Sequence, residues 1–189
     1  MPTPYVIGIA GGSASGKSTF AKALKEALTG LDVHIIPVDS YFKPRNQRPY
    51  SKAPVTGAMY VDDNHPLTMD LPKLAQDLKT LIENAAHDVI VVEGLLPLWD
   101  ENLLPLLNLK LFIDCRPDER IVRRLRRNMA RGLTFDEIAS VYLDLVRYRH
   151  DEYIETTKWR ADLILNGSNP SDAALDMLVN YVKEKLTCC

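Results

Sequence analysis

Cysteine is scarce: three in 189 residues, with Cys115 at the end of an apolar run and Cys188 and Cys189 as the last two residues. An odd count without framework spacing excludes a disulfide scaffold and fits a reducing compartment. The terminal pair has no third ligand nearby, so it reads as a frayed tail rather than a metal site. Excess charge is also missing. Lys and Arg number 23 against 25 Asp and Glu, and a net charge of −2 with a pI near 6.1 gives no whole-surface field for nucleic acid. No run approaches the roughly 20 apolar residues that span a bilayer. The N-terminus lacks a basic region and a small-residue cleavage site. Repeats and low-complexity tracts are absent too. These absences predict a cytoplasmic protein that binds neither membrane nor nucleic acid.

With 46% apolar and 25% charged residues over this length, the chain is expected to form a single domain over 1–189. Short apolar, β-branched runs recur at Tyr5–Ala10, Val33–Val38, Val89–Val92, Leu109–Ile113 and Ala161–Leu165. Between them lie helical patterns, from Lys17 to a stop at Gly30, from Leu71 through Glu83, and from Ser171 onward. Thr134, with Glu137 three residues on, forms a capping box, and Ser171 reads as the cap of the last helix. Pro37 places the end of the second strand at a sheet edge or beyond it. Strands alternating with helices predict an α/β fold, a parallel sheet covered by helices on both faces. In such a sheet the chemistry sits beyond the carboxyl ends of the strands.

The loop after the first strand is Gly11-Gly12-Ser13-Ala14-Ser15-Gly16-Lys17-Ser18-Thr19. Gly-x4-Gly-Lys-Ser between a strand and a helix is the Walker A pattern in its required context. Small residues let successive N–H groups turn toward phosphate oxygens, and the helix dipole adds to them. Lys17 is placed to bridge the β- and γ-phosphates of ATP, and the Ser18 hydroxyl to meet Mg²⁺.

Asp39 follows the second strand and Glu93 the third, so both are expected in the crevice. Phosphoryl transfer uses a carboxylate at the acceptor hydroxyl and another at the metal, and these roles are assigned to Asp39 and Glu93. Asp114 also ends a strand, but there capping of the next helix is the stronger expectation. Arg120, Arg123, Arg124, Arg126, Arg127 and Arg131 crowd twelve residues with no acid after Glu119. Such like charge calls for an anion, so residues 118–133 are expected to form a lid over the phosphates, mobile until ligand binds. Residues 41–66 hold four of the twelve prolines and form the one long irregular stretch, in keeping with a functional loop spanning about 39–70.

Taken together, these segments resemble the uridine kinase and phosphoribulokinase-like group of P-loop kinases. The resemblance rests on GGSASGKST at Gly11–Thr19, Val38-Asp39-Ser40-Tyr41-Phe42 and Asn64-His65-Pro66 followed by Asp70. It extends to Val92-Glu93-Gly94, Leu111–Asp114 with the Arg120–Gly132 segment, and Lys158–Gly167. It implies a five-stranded parallel sheet, Mg·ATP as donor and a small-molecule acceptor, with association between copies left open. Asp39 would be the base for a ribose 5′-hydroxyl and Tyr41 or Phe42 would pack on the acceptor. Asp63, Asn64 and His65 would flank it, and Arg124, Arg127 and Arg131 would close over the phosphates. Two departures stand out. Asn64 replaces an aspartate that usually holds the ribose diol, leaving Asp62 or Asp63 as substitutes. The base-reading β-hairpin has no room between Glu83 and the strand at Val89. In lacking it, and in Tyr41-Phe42-Lys43-Pro44, the chain is similar to nicotinamide riboside kinases. The expected acceptor is thus a nucleoside, with nicotinamide riboside or another hydroxyl compound as the alternative. A regulatory P-loop NTPase is the reading from another class, and a GTP switch would need an Asn-Lys-x-Asp stretch, which does not occur.

Overall fold

The computed structural model describes residues 3–187, so the expectation for Cys188 and Cys189 falls outside the described residues. Five strands form one sheet: β1 (Tyr5–Gly11), β2 (Val33–Pro37), β5 (Val89–Glu93), β6 (Leu109–Asp114) and β7 (Leu163–Asn166). Their order is β2-β5-β1-β6-β7, with every neighbouring pair parallel. Alternation along β1 divides the core. Val6 and Ala10 join the side covered by α2 (Leu71–Asn84), while Ile7 and Ile9 face α1 (Lys17–Ala27) and α6 (Asp172–Thr187). The central strands β1 and β5 are buried on both faces, whereas the edge strand β7 leaves Leu163 and Ile164 exposed. The α/β expectation and the edge position of Pro37 hold, since β2 pairs with β5 alone.

Helix ends follow their local chemistry. Asp70 accepts from the Lys73 N–H at the start of α2, and Ser171 from the Ala174 N–H at the start of α6. Thr134 and Glu137 form the expected capping box at α4 (Phe135–Val141). Asp114 is a correction. Arg116 sits at the N-cap of α3 (Pro117–Met129) without a capping side chain, and Asp114 instead pairs with Lys158 at 2.7 Å. After α4 the chain stays helical but changes pitch. A π-helical stretch (Tyr142–Val146) leads into α5 (Arg147–Arg149), a second π-helical stretch (His150–Ile154) and a 3₁₀ segment (Glu155–Arg160).

The stretch expected to be irregular contains a small antiparallel hairpin, β3 (Tyr50–Lys52) with β4 (Met59–Val61). Three-residue strands carry too few residues for a periodic pattern, which is why the sequence concealed it. The connection from α2 to β5 is Ala85–Asp88 alone, so no second hairpin lies there. No described helix is long and apolar enough to cross a membrane.

Candidate active site

β1 delivers the phosphate loop to the centre of the sheet. Gly16, at φ +103°, caps α1 without a side-chain hydrogen bond, a conformation that favours glycine and leaves the first-turn N–H groups open. Ala14 is also left-handed at φ +64°, so the loop alternates hand as an anion nest does. Gly12 matters for its missing side chain, because a Cβ there would run into the Arg120 guanidinium and lie 3.0 Å from Cε1 of His150. Lys17 is buried and donates from Nζ to the Gly12 carbonyl at 2.9 Å. Burial lowers its pKa to about 8; nearby Glu93 and Asp39 oppose the drop, and Arg127 and Arg120 add to it. A buried ammonium surrounded by open amides is poised for an anion.

The strand register sets the acids beside this loop. Glu93 lies level with Ile9 of β1 and Pro37 of β2, and its Oε1 accepts from the Ser18 hydroxyl at 2.9 Å. Asp39 stands exposed in the 3₁₀ turn Val38–Tyr41 that follows β2. Among the described residues its carboxylate has no hydrogen-bond or ion-pair partner. Asp39, Glu93, Lys17 and Ser18 all line one cleft of about 770 Å³. No group of three or more metal-ligating His, Cys, Asp or Glu occurs among the described residues. The Ser18 hydroxyl and the Glu93 carboxylate are oxygen donors of the kind that Mg²⁺ takes.

The arginines of α3 separate into distinct roles. Arg124 and Arg127 donate to the Ser13 hydroxyl at 3.3 and 3.1 Å, and with Arg131 they line the cleft. Burial lowers the pKa of both Arg124 and Arg127; Arg127 lowers that of Arg124 further, and Arg131 that of Arg127. Among the described residues the buried Arg124 Nε has no hydrogen-bond partner. Arg123 pairs with Glu119 at 3.0 Å and donates to the Gly167 carbonyl, so it braces α3 against the end of β7. Arg120 is buried, with Nε on the Cys115 carbonyl.

On the acceptor side the structure brings Phe42, Asp63 and Asn64 into the same cleft as the phosphate loop. Tyr41 and His65 are not brought there. Tyr41 turns outward, donates its hydroxyl to Asp77 at 3.0 Å and has its pKa raised to about 12 by burial and that bond. His65 Nδ1 accepts from the Leu67 N–H, and its ring meets Tyr153 edge-on. Asp62, one of the two proposed substitutes, is fully buried against Arg149 rather than open to the cleft. Asp63 is the open one, paired at 2.9 Å with Arg48, whose guanidinium lies 4.5 Å over the Phe42 ring. Sequence reasoning missed Arg48, Arg149 and His150. None belongs to a motif, and each acts across a distance that only the fold closes. A second hollow of about 330 Å³ adjoins the phosphate loop, lined by Gly16, Thr19, Arg123, Gly167 and Pro170.

A family model described as Phosphoribulokinase / Uridine kinase family matches residues 6–87 and 79–173. The uridine kinase of Geobacillus kaustophilus is 32% identical over 206 residues, covering 97% of this chain and 95% of that protein. The uridine kinase of Clostridium novyi is 32% identical over 99% of both chains. Among solved structures, one described as a "Possible Uridine Kinase" from Bacillus stearothermophilus superposes with a TM-score of 0.59 at 21% identity. It covers 87% of this chain and 89% of its own, and shows a shared fold.

Proposed function

The chain belongs to the Phosphoribulokinase / Uridine kinase family, and on that premise we propose that it transfers the γ-phosphoryl group of Mg·ATP to the 5′-hydroxyl of a nucleoside in the cytoplasm. The observation that carries this reading is the convergence of Lys17, Ser18, Glu93, Asp39, Asn64 and the arginines on one cleft.

The nest at Gly11–Thr19 holds the phosphates, with Ser15 and Thr19 close to the chain path, and the hollow beside Gly16 takes the nucleotide base. Arg123 and Pro170 supply a planar cation and an apolar surface there. Ser18 and Glu93 would hold a Mg²⁺ ion, which would supply charge neutralisation to the phosphates. Asp39, with no partner among the described residues, accepts the proton of the acceptor hydroxyl as that hydroxyl's oxygen bonds to the γ-phosphorus. The bond from γ-phosphorus to the β–γ bridging oxygen breaks, and ADP leaves with the electron pair. Lys17, Arg124, Arg127 and Arg131 meet the charge that spreads over the transferring group. Asn64 and Asp63 offer an amide and a carboxylate to a diol, and Phe42 a flat surface to a ring.

The short Ala85–Asp88 connection favours a second acceptor, nicotinamide riboside, because a base-reading hairpin is missing at that point. A transfer screen over nucleosides, nicotinamide riboside, pantothenate and sugar acids, with product masses identified, separates the two. Turnover of ATP that ignores every acceptor would overturn the kinase reading in favour of a regulatory ATPase.

A further inference from the structure

The acceptor loop is held partly by its own hydrogen bonds and hairpin. It is also fastened to the helical stretch after the lid at two points, both made by buried acids. Asp144 of the first π-helical stretch is buried and accepts from the Thr56 N–H at 3.1 Å and from the Thr56 hydroxyl, which pins the turn of the β3–β4 hairpin. Asp62, at the foot of β4, has no exposed surface. Its Oδ2 accepts from Arg149 Nε at 2.6 Å and its Oδ1 from the Asn64 N–H at 3.1 Å. Its carbonyl accepts from the Thr68 hydroxyl, and its own N–H donates to the Pro49 carbonyl. Asp62 therefore fixes the turn that carries Asn64 into the cleft, and of its partners only Arg149 comes from outside the loop.

The change of helical pitch explains how one stretch makes both attachments. Each residue of an α-helix turns about 100°, so residues five apart face different ways. Bonding from i to i+5 brings such residues toward one face. Asp144 and Arg149 are five apart, with π-helical stretches at Tyr142–Val146 and His150–Ile154, and both contact the acceptor loop. Arg149 is further steadied by Glu152 and by the Tyr153 ring, which lies edge-on to His65 and Trp99.

We propose that Arg149, acting through Asp62, is a positioning residue for the acceptor: it sets where Asn64 stands in the cleft, and the helical stretch 142–154 buttresses the acceptor loop through Thr56 and Asp62. A buried ion pair is weak evidence for stability, since apolar residues of similar size often do as well. A placement role accounts for an ion pair whose acid also holds the cleft-lining turn. A misplacement of about 1 Å can cost on the order of a hundredfold in rate, so the effect should show in catalysis before it shows in folding.

The inference rests on the acceptor lying against Asn64, and its test separates the two ideas. Arg149→Met and Arg149→Lys are assayed with uridine as probe, or with whichever panel compound the unaltered enzyme phosphorylates. Arg149→Met should raise the acceptor KM about tenfold or more while the ATP KM stays within about twofold, and Arg149→Lys should recover most of the loss. Equal changes in both KM values, or none in a folded protein, would overturn the positioning role. Amide exchange gives an arm that needs no acceptor. In Arg149→Met it should quicken over residues 62–68 and stay the same over Gly11–Thr19, and an unchanged turn would sink the proposal whatever the substrate proves to be. Should the single variant not fold, Asp62→Asn/Arg149→Met leaves no unpaired buried charge and carries the same expected outcomes. If the unaltered enzyme phosphorylates nothing on the panel, the nucleoside reading fails and the exchange arm still decides this one.

Discussion

The phosphate loop is nine consecutive residues on a strand–loop–helix, whereas the acceptor half gathers Asp39, Phe42, Asp63 and Asn64 from separated positions, Asn64 on a turn that Asp62 ties to Arg149. In the first, the loop's open backbone amides, its helix end and Lys17 all come from one short stretch of chain. The second works through side chains that meet only after the sheet has closed. That division teaches where variation is tolerated: the donor end is fixed by geometry, and the acceptor end can be re-equipped residue by residue without disturbing it.

The largest test of this contrast is Lys17→Met. Losing this buried ammonium at the phosphates should lower kcat by about 10³–10⁵, the range for a cation on a transferring phosphoryl group. The same change should stabilise the protein without nucleotide. Lys17 has a folded pKa of about 8 against an unfolded value near 10.5, so the unfolded chain binds more protons between these limits. Stability therefore rises with pH from about 8 to 10.5, and below pH 8 the buried charge costs on the order of 3 kcal/mol. A melting series from pH 7 to 10.5 should show this slope in the unaltered protein and a flatter one in Lys17→Met. Equal slopes would mean Lys17 is not a strained charge.

Asp39→Asn comes next, with a fall in kcat of about 10²–10⁴ and ATP affinity nearly unchanged, as for loss of a general base. A matching loss of ATP affinity would move Asp39 to the metal side and blur the two halves. Arg127→Ala with Arg131→Ala should lower kcat by about 10² while acceptor KM changes little, because contacts strongest in the transition state appear in kcat. Retention of full kcat would leave those arginines as surface charge. The smallest effect is expected for Tyr41→Phe, within about twofold in kcat/KM, since its hydroxyl is spent on Asp77 outside the cleft. A large loss would place Tyr41 at the acceptor after all.

The same contrast explains what could be read from the residues alone. The five strands, the Gly16 cap and Lys17 lie in local patterns, and so do Thr134 and Glu137. Glu93 and Asp39 follow from the rule that chemistry gathers at strand ends. The lid arginines were legible as a group but not individually: nothing local tells that Arg123 reaches the Gly167 carbonyl or that Arg120 is buried against Gly12. Asp114 looked like a cap because a helix follows it, and Lys158, 44 positions on, claimed it instead. Tyr41 and His65 sat in a motif that named the segment correctly without saying which way each ring would turn.

The central place of β1 has a consequence for the order in which this molecule comes into being. The strand that presents the nucleotide loop is the first made, yet its neighbours are β5 and β6, 84 and 102 residues further along in their registers. A nascent chain emerging amino-end first thus carries the loop with no flanking strand to shape it until Val89–Glu93 and Leu109–Asp114 have followed. Contacts so distant in sequence close slowly and late. Nucleotide capture should begin only when the stretch through Asp114 is free of the ribosome, so that the first bound ATP marks the near-completion of the sheet.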